Sequence, residues 1–240
     1  MKEILSLMRR AVDDYNMIEE GDSIGVGVSG GKDSVILLMA LKNLQIFYPK
    51  KFTLTAITAD PQFNGNPTDY SEIEKLCEKL GIKYIISRTD IGQIVFDVRK
   101  EEHPCSLCAR LRRGALHDVC VANGINKLAL GHHYDDAAQT FMMNLIHEGR
   151  VGCFSPVTYL SRKDITVIRP LCLTPETKIK SAAKRLNVPI VKSCCPADGE
   201  TAREDAKELL IDLNRRYHGI RERIIGAMKR QDIDGWGIKR

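Results

Sequence analysis

The chain has 240 residues, enough for one α/β domain with additions and few for two independent domains. Its 36 Lys and Arg residues exceed its 31 Asp and Glu residues, and the net charge of +5 permits an anionic partner without requiring one. No segment approaches the roughly 18 uninterrupted apolar residues of a membrane helix, and the N-terminal residues lack a signal-peptide core, so we expect a cytoplasmic protein without a membrane partner.

Short apolar runs and helical patterns alternate along the chain. The runs are bounded by turn residues, as buried parallel strands usually are, and they cover residues 23–28, 52–58, 83–87, 127–130 and 165–168. The helical patterns cover residues 34–47, 68–80, 109–122, 137–147 and 175–186, and residues 200–230 predict two charged amphipathic helices. Gly81 and Gly124 are placed to end two helices. This order predicts an α/β fold with a doubly wound parallel sheet, an N-terminal helix and a C-terminal helical extension.

The stretch G-V-G-V-S-G-G-K-D-S, residues 25–34, follows the first predicted strand, where such sheets bind ligands. It has the spacing of the dinucleotide fingerprint G-x-G-x-x-G, which alone is a weak signal, and it fails the P-loop pattern at Val26 and Asp33. The remaining match is S-G-G-K-D-S, residues 29–34. Backbone N–H groups and the positive end of a helix converge in this turn, so it can bind phosphate, and Lys32 adds a charge. The plainer alternative is a turn with Asp33 as helix cap, which needs neither the second glycine nor the lysine.

Eight cysteines in a reducing compartment are a poor fit to a disulfide set, so those with motif spacing are candidates for metal or sulfur chemistry. Cys105 and Cys108 form a C-x-x-C motif, which occurs in zinc sites, redox pairs and iron–sulfur sites. A Cys₄ zinc site is awkward because the second group, Cys194 and Cys195, is adjacent in sequence. Three thiolates would suit a cubane cluster with one iron lacking a protein ligand. We expect the other four to be packing residues, namely Cys77, Cys120, Cys153 and Cys172.

Acidic and histidine residues occur at two further predicted strand ends. Asp135 and Asp136 either cap the helix that they open, or one of them holds Mg²⁺ or assists nucleotide chemistry. His132 and His133 have the same ambiguity. Asp60 ends the second strand, where a nucleotide-contacting residue would lie, and it could equally cap a loop.

Six segments together resemble the tRNA 2-thiocytidine synthetase (TtcA-type) family of N-type ATP pyrophosphatases, within the PP-loop superfamily. They are D-Y-N-M-I-E-E-G-D (14–22), S-G-G-K-D-S (29–34), C-S-L-C-A-R-L-R-R-G (105–114), G-H-H-Y-D-D with Q-T (131–136 and 139–140), V-I-R-P-L (167–171) and C-P-A-D-G-E-T-A-R (195–203). The resemblance implies a fold like that of the adenine nucleotide alpha hydrolases, with the PP-loop ATP pyrophosphatase domain at 21–190. Residues 1–20 would form the N-terminal helix, and residues 191–240 the third-cysteine loop and C-terminal helices of the same structural unit.

The resemblance also implies the cofactors and their ligands. It implies ATP, Mg²⁺ and a [4Fe–4S] cluster held by Cys105, Cys108 and Cys195, whose C-P-A-D-G context fits the family, while Cys194 stays open as the alternative. The expected nucleotide-binding residues are Ser29, Gly30, Gly31, Lys32, Asp33, Ser34, Asp60, Gly131 and His132. The expected catalytic residues are Lys32, Asp33, Asp135 and Asp136.

The implied activity is that of an ATP-dependent tRNA sulfurtransferase. Such an enzyme adenylates the C2 oxygen of an anticodon-loop cytidine, position 32 of tRNA, and replaces it with sulfur delivered through the cluster. The expected partners are tRNA and a sulfur donor such as a cysteine desulfurase or free sulfide, and a homodimer is left open. Arg110, Arg112 and Arg113 are the expected RNA contacts, although a solvated helix face is the ordinary explanation of a short basic run.

Three other functions are weighed against this one. Thiolation of 2-thiouridine type uses a similar loop and cluster, but the zinc ribbons of the thermophile-type enzymes do not occur in this sequence. Lysidine synthesis shares the loop and needs no cysteine cluster. A non-enzymatic metal- or RNA-binding protein would have no use for an intact S-G-G-K-D-S turn.

Overall fold

The computed structural model of the protein describes residues 1–100, 104–192, 194–197 and 202–238. Within these residues six strands form one sheet: β1 (Asp22–Gly27), β2 (Phe52–Asp60), β3 (Lys83–Arg88), β4 (Lys127–Ala129), β5 (Val157–Leu160) and β6 (Ile165–Ile168). They lie in the order β3-β2-β1-β4-β6-β5, and every pair is parallel except β5 with β6. The strand order reverses between β1 and β4, which is where a doubly wound sheet opens a binding crevice at its carboxyl edge.

Helices cover both faces of the sheet. Their bounds are α1 (Lys2–Asp14), α2 (Lys32–Phe47), α3 (Ser71–Leu80), α4 (Ile91–Gln93, continued by a π-helical segment Ile94–Arg99), α5 (Pro104–Ala122), α6 (Tyr134–His147), α7 (Glu176–Leu186), α8 (Ala202–Arg216) and α9 (Ile220–Arg230). The main core joins one sheet face to α1, α2, α6 and α7. The second cluster joins the other face to α5, and α8 and α9 pack on α6. None of the described helices is long and apolar enough to cross a membrane.

The two glycines of β1 bring α5 close to the sheet. The branched side chains that alternate with them are buried in the main core. On the other face, a Cβ added at Gly25 would lie 3.3 Å from Cys120 Sγ, and one added at Gly27 would lie 3.5 Å from Leu116 Cδ1, both on α5. This close approach matters for the site because α5 carries Cys105 and Cys108.

The predicted fold class is confirmed, with differences at the element ends. The C-x-x-C motif was expected to precede its helix, but α5 begins at Pro104, so both cysteines lie in the first turns. Proline at the first helical position loses no hydrogen bond, because the N–H there has no intrahelical partner. The edge strand β5 was missed, since its side chains are only partly buried and its apolar alternation is weak. Gly81 ends α3 in the left-handed conformation as predicted, and Gly124 has φ +64° just after α5.

Candidate functional site

The turn between β1 and α2 is closed by its own hydroxyl groups. Ser34 Oγ accepts a hydrogen bond from the Ser29 N–H at 3.1 Å and donates one to the Gly31 carbonyl at 2.9 Å. Gly31, not Asp33, is the N-cap of α2, and it offers no side chain to the first N–H groups. Those N–H groups and the positive helix end therefore face an incoming ligand, which is the requirement for binding an anion.

Gly30 cannot be replaced without disturbing this turn. Its φ of +84° lies in the left-handed region, and an added Cβ would lie 2.6 Å from Val191 Cβ. Val191 also donates its N–H to the Gly30 carbonyl at 3.0 Å. The segment that leads to Cys194 and Cys195 is thus fixed directly on the turn.

A cavity of about 400 Å³ opens beside the turn, at the carboxyl ends of β1 and β4. The predicted site residues that line it are Ser29, Asp33, Ser34, Arg112, Arg113, Gly131 and His132, and Arg203 from α8 joins them. A neighbouring cavity of about 220 Å³ is lined by Ser29, Gly31, Arg112, Lys192 and Cys194, among others. Arg112 lines both cavities, so it lies between the turn and the cysteine segment.

Lys32 lines neither cavity and is held by two carboxylates. Its ammonium group lies 3.0 Å from Asp33 Oδ2 and 3.0 Å from Glu176 Oε1, at the start of α7. Burial lowers the pKa of Lys32, but these two hydrogen-bonded carboxylates outweigh burial and the pKa is raised. Burial likewise opposes the ionisation of Glu176, yet Lys180 and Lys32 bring its pKa down to about 2. That Lys32 contacts phosphate stays a prediction.

The two acidic residues of G-H-H-Y-D-D have different partners. His133 is the N-cap of α6, and Asp136 closes a capping box by accepting the His133 N–H at 2.9 Å. Asp136 also accepts a hydrogen bond from Arg203 at 2.7 Å. Asp135 instead accepts the N–H of Glu176 at 2.7 Å and lies 3.3 Å from Arg221. Asp136 therefore borders the cavity through Arg203, whereas Asp135 joins three helices.

Asp60 and His132 occupy buried positions with different surroundings. Asp60 accepts hydrogen bonds from the N–H of Gln62 and from the N–H and hydroxyl of Thr68, a geometry that favours the loop-cap alternative over direct nucleotide contact. The His132 ring lies 5.1 Å from that of Phe154. Burial, followed by the charge of Arg169, lowers the pKa of His132 to about 3, so this cavity-lining imidazole is neutral at physiological pH.

One carboxylate oxygen of Asp33 lacks a hydrogen-bond partner among the described residues. Asp33 Oδ1 is buried without a hydrogen bond among the described residues, while His133 Nε2 lies 3.9 Å away. A desolvated carboxylate oxygen at a phosphate-binding turn is a suitable ligand for Mg²⁺, which prefers oxygen and retains several waters. The turn therefore fits a magnesium–nucleotide complex.

Three of the cysteine thiols lie near one another. Cys108 is buried in an apolar cluster with Val95 and Leu107, and half-buried Cys195 packs against that cluster. Burial raises the pKa of the Cys108 thiol, Arg112 lowers it, and Cys195 and then Cys105 raise it further. Cys194 is exposed and lines the smaller cavity instead. As predicted, the other four cysteines are buried packing residues, namely Cys77, Cys120, Cys153 and Cys172.

The thiol group suits a cluster better than a single ion. In the part of the chain that the structure describes, no three His, Cys, Asp or Glu side chains are grouped to hold one metal ion. A cubane needs less convergence, because each cysteine binds a different iron. Buried Cys108, half-buried Cys195 and exposed Cys105, which lies one turn before Cys108 on α5, are candidates for those three positions. Residues 198–201 of the C-P-A-D-G-E-T-A-R motif lie outside the described residues.

The arginines differ in what they face. Arg112 and Arg113 line the larger cavity, whereas Arg110 is exposed and lines neither cavity. Arg221, on α9, is mostly buried against Asp135. The sequence patterns missed Glu176 and Arg203. Arg203 could have been found, since it ends the last motif.

The chain is similar to several known proteins in sequence and in fold. The family profile for the PP-loop domain matches residues 4–205. The tRNA-cytidine(32) 2-sulfurtransferase of Syntrophotalea carbinolica is 36% identical over 230 residues, which cover 95% of this chain and 88% of that protein. The protein of the same description from Dechloromonas aromatica is 38% identical over 222 residues, covering 92% of this chain and 77% of that protein. Among solved structures, the U34-tRNA thiolase NcsA from Methanococcus maripaludis with its [4Fe-4S] cluster has a TM-score of 0.77 and 27% identity, over 94% of this chain and 77% of that chain.

A doubly wound sheet with this phosphate-binding turn after its first strand defines a PP-loop ATP pyrophosphatase. The two sulfurtransferases match 95% and 92% of this chain, which identifies its subgroup within that family. Within the PP-loop family, the chain belongs to the tRNA-cytidine(32) 2-sulfurtransferases, the TtcA type that its motifs predict.

Glu176→Gln should destabilise the fold in a pH-dependent way. The pKa of Glu176 falls on folding from an ordinary value of 4.5 to about 2, so its ionised form stabilises the protein above pH 4.5 and this contribution is lost as the pH falls toward 2. We expect a loss on the order of 1 kcal/mol in the free energy of unfolding at pH 7. Urea denaturation at a series of pH values measures it.

The matched control is Glu72→Gln, which removes an exposed ion pair with Lys75 and should change stability little. A loss for Glu176→Gln that stays constant between pH 7 and about 3.5 would contradict the assigned role of the carboxylate.

Proposed function

We propose that the protein is an ATP-dependent tRNA sulfurtransferase that converts an anticodon-loop cytidine, position 32, to 2-thiocytidine. The observation that carries this proposal is the link between the phosphate-binding turn and the cysteines. Val191, which leads to Cys194 and Cys195, is hydrogen-bonded to Gly30 of the turn, and Cys195 packs against the cluster that contains Cys108. Relatives named as tRNA-cytidine(32) 2-sulfurtransferases, 36% and 38% identical, support cytidine as the target base.

In the proposed reaction, the C2 oxygen of cytidine attacks the α-phosphorus of ATP, and the bond to the β-phosphate oxygen breaks to release pyrophosphate. The N–H groups of the turn bind the leaving pyrophosphate, because they point at the position where its charge develops. Sulfide then attacks C2, the carbon–oxygen bond breaks, and AMP leaves with the original oxygen. No electrons are gained or lost when the donor supplies sulfur as sulfide.

Mg²⁺ and the cluster each have candidate ligands. Asp33, whose Oδ1 has no hydrogen-bond partner among the described residues, would hold Mg²⁺, which neutralises charge on phosphate oxygens. Cys105, Cys108 and Cys195 would hold a [4Fe–4S] cluster, whose iron without a protein ligand can bind sulfide. The protein's own groups keep this region apolar, through Val95 and Leu107, and so restrict water.

Arg112 and Arg113 are the proposed contacts to tRNA phosphate. They lie on the turn of α5 that follows Cys108 and face the cavity, where a guanidinium group can contact phosphate through two parallel hydrogen bonds. Arg110 faces solvent and would contact tRNA only outside the cavity. Free sulfide would supply the sulfur directly, whereas persulfide sulfur from a cysteine desulfurase would first have to be reduced to sulfide by two electrons from a thiol. A homodimer and a cytoplasmic location remain predictions.

The thiolated nucleoside formed in a reconstituted reaction identifies the target base. Reconstituted protein, ATP, sulfide and an unmodified tRNA transcript should give 2-thiocytidine in nucleoside mass spectrometry, with one pyrophosphate released for each base converted. A transcript with uridine at position 32 is the matched control and should stay unmodified. Formation of 2-thiouridine or lysidine, or release of pyrophosphate without any thiolated nucleoside, would contradict the proposal.

Substitution of single cysteines should show which of the adjacent Cys194 and Cys195 binds the cluster. Anaerobically reconstituted protein should contain about four irons and four sulfides. Cys105→Ala, Cys108→Ala and Cys195→Ala should each lose the iron and the thiolation activity, because each removes one ligand. Cys194→Ala is the matched control and should retain both, since Cys194 faces the smaller cavity.

Two results would contradict the ligand set. A cluster that survives Cys195→Ala but is lost in Cys194→Ala would move the third ligand by one residue. Stoichiometric zinc in fully active protein without iron would exclude the cluster.

A further inference from the structure

Arg203 is the one residue of α8 that lines the larger cavity, among those that the structure describes. It lies in the first turn of α8, and its guanidinium donates to Asp136 Oδ1 at 2.7 Å. Asp136 is itself fixed by the N–H of His133. The side chain of Arg203 is 42% exposed, so part of it faces solvent in the cavity. Asp136 thereby holds a charged group at the cavity wall in a defined orientation.

Three arginines and one acidic residue form the charged lining of this cavity among the described residues, and one of the arginines, Arg203, is paired with Asp136. Arg112 and Arg113 reach it from α5, and Arg203 reaches it from α8. Among the described residues that line it, Asp33 is the single acid, and one of its oxygens is already paired with Lys32. Three guanidinium groups beside the N-terminus of α2 give a region that attracts a polyanion.

Lys32, the cation of the S-G-G-K-D-S turn, lies outside the lining of this cavity. Lys32 contacts Glu176 and Asp33 and does not line the cavity. A phosphate bound there would meet Arg203, which Asp136 holds at the cavity wall, rather than this lysine. Arginine suits the purpose, because its five N–H donors allow Arg203 to keep its bond to Asp136 while others reach a phosphate oxygen.

We propose that Arg203 binds a phosphate group of ATP and that Asp136 is its positioning residue. This inference rests on the proposed use of ATP and adds a contact from outside the PP-loop turn. The segment that carries Cys194 and Cys195 begins at Val191, bonded to Gly30, and ends at Arg203, so both of its ends meet the nucleotide site.

Calorimetric titration of ATP and of adenosine tests the contact. Arg203→Ala should weaken ATP binding roughly tenfold or more, the usual cost of losing a hydrogen bond to a charged group. Its affinity for adenosine should stay within about twofold of the wild-type value, because adenosine has no phosphate. Arg203→Lys should fall between wild type and Arg203→Ala for ATP, since it restores the charge without the planar fork.

The matched control is Arg215→Ala, on the same helix, where the arginine is exposed and paired with Asp212. It should bind both ligands as the wild type does, and circular dichroism should show all three variants folded. Unchanged ATP affinity in Arg203→Ala, or an equal loss for ATP and adenosine, would overturn the phosphate contact and leave Arg203 with a structural role. Failure of the wild-type protein to bind ATP would instead overturn the proposed function.

Discussion

The contact between Gly30 and Val191 is the constraint on which the rest of the site depends. Gly30 has φ +84°, and no side chain fits there because Val191 occupies the position of its Cβ. The hydrogen bond from the Val191 N–H to the Gly30 carbonyl closes this contact. A turn that must leave its N–H groups open for phosphate is thereby also the support of the cysteine segment. A backbone hydrogen bond therefore joins the phosphate-binding turn to the start of the segment that leads to Cys194 and Cys195.

Helix termini supply the remaining parts of the site. The N-termini of α2 and α6 lie at the carboxyl edge of the sheet, and the N-terminus of α7 is joined to both through Lys32 and Asp135. The C-terminal extension takes part as well, since α8 brings Arg203 to Asp136 and α9 brings Arg221 to Asp135. A PP-loop sheet alone would lack these two arginines. The extension thus pairs both acidic residues at the start of α6 with arginines.

Much of this could be predicted from local patterns, and the rest depends on contacts between distant segments. Buried parallel strands have continuous apolar runs, so β1 to β4 and β6 were found, while the half-exposed edge strand β5 was not. The phosphate turn was recognisable because its chemistry lies in six consecutive residues. The pairs Arg203–Asp136 and Lys32–Glu176 join segments far apart in sequence, and neither residue pattern predicts its partner. Sequence context favoured Cys195 over Cys194 through the family resemblance alone, and the structure adds that Cys195 packs beside the Cys108 cluster while Cys194 lines the smaller cavity.

The iron content of Gly30→Ala tests the dependence of the thiol site on the turn most directly. A Cβ at this position would displace Val191, so after anaerobic reconstitution the variant should bind markedly less iron and sulfide than the wild type, although no cysteine is altered. Gly31→Ala is the matched control, because its Cβ would meet only Ser29 Oγ, at 3.6 Å, and it should keep the wild-type iron content. Full iron retention in Gly30→Ala, or equal loss in both variants, would contradict the claim that this contact holds the two sites together.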